Sequence, residues 1–144
     1  MRANNATSRT PSVGATASYV LKWYEGSPPR YGWFIRGIHP DRSFFGEISV
    51  FIAEGGKQAN VAGKLSKTDY ARFLHLVRGI EERASEDASD APWDGLLAVG
   101  PTDSPRILFK YRTSDTTITE AGLMFLQVVD IMAPYLRGLH ESLE

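Results

Sequence analysis

Thr117 to Leu139 reads TITEAGLMFLQVVDIMAPYLRGL, and the reading of this stretch decides the fold. Ile118, Ala121, Phe125, Val128, Val129, Met132, Tyr135, Leu136 and Leu139 recur at helical spacing. Met124, Leu126 and Ile131 widen that stripe beyond an ordinary amphipathic face, and Leu123 adds to the excess. Glu120, Gln127, Asp130 and Arg137 form a narrow polar strip opposite. Such a helix must be covered on most sides. A sheet covers one side, and the flank of Leu123, Met124 and Ile131 calls for something more, such as a twofold mate or another protein. Thr117 and Glu120 have capping-box spacing and mark the start. Pro134 removes one helical hydrogen bond and predicts a bend.

The segments before this helix supply the sheet. Asp94–Val99 and Arg106–Arg112 form a hairpin around Gly100-Pro101-Thr102-Asp103-Ser104-Pro105. Ahead of it, Glu86 to Asp94 is an acidic loop. Leu65 to about Ser85 is a first helix, with Ser66 as N-cap, Asp69 in the reciprocal capping position and a Leu65–Tyr70 staple. Its apolar stripe is Tyr70, Phe73, Leu74, Val77, Ile80 and Ala84.

Four strands precede that helix. In Ser18–Glu25, Tyr19, Leu21 and Trp23 share one face and Val20, Lys22 and Tyr24 the other. Tyr31–Arg36 follows a Pro28-Pro29 loop, and Gly37–Arg42 reads as a turn. In Phe44–Ala53, Ile48, Val50 and Ile52 oppose Glu47, Ser49 and Phe51. Glu54-Gly55-Gly56-Lys57 is a turn signal. Gln58–Lys64 returns as a weaker strand, suited to an edge. The order ββββ-α-ββ-α predicts an α+β domain over residues 18–144. Its antiparallel sheet has about six strands, with both helices on one face. Residues 1–17 have little apolar content to offset ordering entropy and are expected to be a disordered tail.

Totals narrow the function classes. The chain has 144 residues, no cysteine and a net charge of −1. Disulfides, zinc–thiolate sites and cysteine nucleophiles are excluded. The charge argues against a general nucleic-acid binder. Residues 1–64 hold eight Lys/Arg and four Asp/Glu, hence +4, and residues 65–144 hold eight and thirteen, hence −5. No apolar run reaches the roughly 18 residues of a membrane span, so the chain reads as soluble and cytoplasmic.

Chemistry-bearing motifs are scarce. His39, His75 and His140 fall in different elements, without metal-ligand spacing. Glu86, Asp87, Asp90 and Asp94 lack the alternation and central glycine of a calcium loop. The sequence offers no nucleophile–base pair, no metal and no cofactor motif. The aromatic residues are the strongest signal. Nine of the sixteen lie between residues 19 and 51, in less than a quarter of the chain. Tyr24, Phe34 and Phe51, flanked by Lys22 and Arg36, should share the face away from the helices. Aromatic side chains beside arginine are typical of protein-binding surfaces.

The first expectation is therefore a non-enzymatic protein-interaction module, its partner unknown. It would dock through that face or through the flank at Leu123, Met124 and Ile131, as a homodimer or with another protein. Toxin-neutralising immunity proteins and specialised chaperones include small α+β domains of this kind, an analogy of architecture alone. The alternative is a small-molecule binder or modest enzyme. Its pocket would lie between the C-terminal helix and the sheet, with Tyr31, Trp33, His39 and Asp130 as polar lining.

Overall fold

The computed structural model describes residues 17–26, 29–52, 55–84, 92–101, 103–112 and 117–143. The elements are β1 (Tyr19–Gly26), β2 (Pro29–Ile38), β3 (Ser43–Ile52), β4 (Gly55–Lys64), α1 (Lys67–Arg83), β5 (Gly95–Val99), β6 (Arg106–Tyr111) and α2 (Glu120–Leu143). The strands form one six-stranded sheet in the order β4-β3-β2-β1-β5-β6. Every pairing is antiparallel. This is the α+β architecture that the order of elements predicts.

Alternation along each strand sorts its side chains onto two faces. Tyr19, Leu21 and Trp23 of β1, Trp33 and Ile35 of β2, Ile48 of β3 and Leu97 and Val99 of β5 join one large core with Phe73, Val77 and Ile80 of α1 and Phe125, Val128, Met132 and Leu136 of α2. Both helices therefore cover one face. Phe125 is fully buried, with its ring 6.0 Å from Trp23, 5.7 Å from Phe109 and 5.6 Å from Tyr111. On the opposite face Val20, Leu96 and Ala98 make a second, small apolar cluster with Phe34 and Trp93 against it.

Helix α1 starts as its sequence predicts. Ser66 Oγ accepts from the Asp69 amide at 3.0 Å, satisfying one of the orphan donors of the first turn. Helix α2 starts later than expected. It begins at Glu120, and Thr119 Oγ1 accepts from the Gly122 amide, so Thr119 rather than Thr117 is the cap. Ile118 precedes the helix and is exposed. The two helices are joined at several points. The Tyr135 hydroxyl donates to Asp69 Oδ2 at 2.7 Å and accepts from the Ser66 amide. Arg83 Nε donates to Glu120 Oε2 at 3.1 Å. A Cβ at Gly79 would lie 2.8 Å from the Met124 sulfur, so the missing side chain is what lets Met124 lie across α1.

That joint corrects the expectation of an open helix flank. Ile131 is buried within the chain, and Met124 is half-buried against the core. Helix α1 supplies the cover that the width of the stripe demanded. Leu123 and Leu139 remain exposed.

Two boundaries also move. β2 runs through Gly37 and Ile38, where the sequence suggested a turn. A pairing irregularity between Ile35 and Gly37 lets Gly37 pair with Phe45 and keeps Ile38 buried. The turn is His39–Arg42, closed by the Arg42 amide on the His39 carbonyl at 2.8 Å. Arg42 sits at φ 76°. It is held there by its own carbonyl accepting from the Leu65 amide and by its guanidinium donating to the Leu65 carbonyl. β4 begins at Gly55, so the Gly-Gly pair belongs to the strand. The expected tail up to residue 16 and the acidic loop Glu86–Asp90 lie outside the described residues.

Candidate functional site

The helix-free face of the sheet gathers the aromatic and cationic residues. Tyr24 on β1 stacks on Trp93 at 6.2 Å and meets Phe51 of β3 at 6.1 Å. Gly32 of β2 lies between Tyr24 and Ser49 in the ladder. A Cβ there would come within 2.8 Å of the Tyr24 ring and 3.0 Å of Phe51. The missing side chain is thus the gap that lets the two rings meet across three strands.

Phe34 is the centre of the charged part. Lys22, its partner across β1 and β2, holds Nζ 4.4 Å from the Phe34 ring centre and 5.6 Å from that of Trp93. The Arg36 guanidinium carbon is 4.2 Å from the same Phe34 ring. Cations at these distances are attracted by the ring quadrupole. Arg36 also makes a two-point bond to Glu47, Nε to Oε2 at 2.6 Å and Nη2 to Oε1 at 2.8 Å. That bond holds the guanidinium pKa above its ordinary value and ties the group in place beside the Phe34 ring. The Arg36 side chain is 40% exposed, and as a surface pair it contributes at most about 1 kcal/mol to stability.

The row continues toward the β2–β3 turn. His39 stacks on Phe45 at 5.6 Å and 22°. Phe45 and Phe51 stay 43% and 41% exposed. The register explains why: their partners on β4 are Ala62 and Gly56, too small to cover them. Asp41 in the turn accepts from the Ser43 hydroxyl and amide, and these bonds hold its carboxyl below the usual range.

The docking residues expected from sequence therefore separate. Lys22, Tyr24, Phe34, Arg36 and Phe51 come together on one face. Leu123, Met124 and Ile131 do not join them. Ile131 is buried and Met124 is covered by α1, so of this flank only Leu123 is open. Two residues of the face were missed. Trp93 was hidden in a segment read as acidic loop. Phe45 has the same parity as Glu47 and Phe51, a signal that was available.

The expected pocket residues also separate. Tyr31 and Trp33 line a cavity of about 180 Å³ between the sheet and the end of α2, with Glu25, Ala133, Leu136, Arg137 and His140. Asp130 is exposed and outside it, because its side chain leaves α2 away from the sheet. His39 lies on the other face, against Phe45. The structure does bring Ser18 Oγ within 2.9 Å of His39 Nδ1, a contact that the sequence could not show. The nearby Asp41 carboxylate is engaged by Ser43. The Ser18–His39 contact ties the start of β1 to the β2–β3 turn.

Among the described residues no helix is long and apolar enough to cross a membrane, and no three His, Asp or Glu side chains gather as a metal-binding group. No protein-family model and no curated protein matches this chain.

Proposed function

We propose that the protein is a non-enzymatic binding module that docks another protein on the helix-free face of its sheet. The observation that carries this reading is the array of Arg36, Phe34, Lys22, Trp93, Tyr24 and Phe51, joined by ring and cation contacts, with Phe51 and, on the same face, Phe45 left bare by Gly56 and Ala62 of β4. Rigid aromatic groups beside cations lose little conformational entropy on binding and dominate interface energetics. Among the described residues the face also carries Lys110, which pairs with Leu96, beside Lys22, Arg36 and the carboxylate of Glu47. A partner with carboxylates around an apolar centre complements it.

A photo-crosslinking residue in place of Phe51 or Phe45 tests the proposal in the host cell. Both positions should capture the same protein, and Arg36→Glu or Tyr24→Ser should abolish that capture. The same residue in place of His75, exposed on α1, should capture nothing in common with them. Equal capture from all three positions, or capture that the face substitutions leave intact, overturns this reading.

A further inference from the structure

The cavity at the end of α2 has a composition that packing alone does not explain. On the sheet side, Glu25 follows Tyr19, Leu21 and Trp23 in the helix-facing row of β1, and Tyr31 pairs opposite it on β2. The row that builds the core thus ends in a carboxylate. On the helix side, Ala133, Leu136, Arg137 and His140 fall at i, i+3, i+4 and i+7. The turns of α2 that pass over Glu25 and Tyr31 therefore bring the buried His140 to the cavity, with the exposed Arg137 beside it. Polar groups on both walls meet at one place, above the apolar floor of Trp33 and Leu136.

The charges there are left open. Arg36 is paired with Glu47, Arg83 with Glu120 and Arg106 with Glu81. Glu25 and Arg137 line the same small cavity with opposite charges, yet among the described residues neither forms an ion pair. His140 is buried and packs 5.2 Å from the Tyr31 ring. Its Nε2 donates to the Gly32 carbonyl at 3.0 Å, which in the neutral ring leaves Nδ1 as an acceptor. Nδ1 has no partner among the described residues. The sheet wall thus offers a carboxylate and the helix wall an imidazole acceptor and a guanidinium, with an apolar surface between them.

We propose that this cavity binds a small zwitterion, a free α-amino acid with an apolar side chain. The ammonium group is received by Glu25 and His140 Nδ1, the carboxylate by Arg137, and the side chain by Trp33, Ala133 and Leu136. A volume of about 180 Å³ is below the roughly 300 Å³ of pockets that take drug-sized molecules and suits a ligand of this size. The site lies on the helix-covered side of the sheet and is independent of the docking face.

Isothermal titration of the full chain with L-leucine and L-methionine tests the proposal. At least one should bind with a Kd of about 1 mM or tighter, an affinity within reach of so few heavy atoms. Leucinamide, which lacks the carboxylate, and 4-methylpentanoate, which lacks the ammonium, should each bind at least about tenfold more weakly, as expected when one charge-assisted contact is lost. Arg137→Gln and Glu25→Gln should weaken the amino acid by a similar factor, with circular dichroism unchanged. Absence of binding by both amino acids overturns the proposal. So does binding of either single-charge analogue as tight as that of the amino acid, or affinity that both substitutions leave intact. Tyr24→Ser, on the docking face, should leave the titration unchanged, so failure here and failure of the docking reading are told apart.

Discussion

Phe125 shows what a single residue does in this fold. It is fully buried at the middle of α2 and touches Trp23, Phe109 and Tyr111. A Cβ at Gly95 would lie 2.5 Å from its ring, so β5 carries glycine where the ring presses on the sheet. Phe125→Ala should cost about 3–5 kcal/mol, combining lost transfer energy with an uncollapsed cavity. Chemical denaturation reads this directly. Two residues along, Gln127 is exposed, and Gln127→Ala should stay within about ±0.5 kcal/mol. A Phe125 loss below about 1 kcal/mol would mean that the helix does not bury this face.

Among the elements, the pairing of α1 with α2 is the most informative. The wide apolar arc of α2 pointed to a cover from outside the chain. The cover is α1, through Gly79 against Met124 and through the Tyr135 hydroxyl at the cap of α1. Tyr135 both donates to the Asp69 carboxylate and accepts from the Ser66 amide, so it fastens α2 to the first turn of α1. A hydrogen bond to a charged group contributes about 1.5–3 kcal/mol when well buried. This one is half-exposed, so Tyr135→Phe should cost about 1 kcal/mol. The amide of Ser66 should then exchange faster in hydrogen-exchange measurements. No change in either quantity would show that the bond is not formed in solution.

At the scale of the molecule, the sheet has a protected centre and a bare edge. β1 is paired on both sides, by β2 and β5, and lies under the main core. β4 is an edge over its ten residues, and apart from Val61 it buries almost nothing. Long edges invite pairing with other chains, and lysines such as Lys57 and Lys64 oppose it. Amides of Val20 to Trp23 should exchange only by global unfolding. Those of β4 that point away from β3 should exchange at least about a thousandfold faster, since local opening there costs far less than unfolding. Similar rates in the two strands would contradict the sheet order. The two faces divide the work: one is sealed by helices and carries the core, and the other carries the exposed rings and cations.

By itself the sequence determined what local periodicity controls. Period-two alternation placed Tyr24, Phe34 and Phe51 on one face, and the 3.6-residue stripes with Ser66 as cap located both helices and their buried sides. These patterns are legible because every residue of the repeat reports the same partner surface. Only the tertiary structure decided which strands are neighbours, that α1 covers Met124 and Ile131, and that Trp93 joins the outer face. It also decided that His140 is buried beside Tyr31 rather than left in solvent at a helix end. Its bond to Gly32 spans 108 positions in the chain. Such contacts leave no periodic trace, since each depends on how whole elements dock and not on the residues beside it.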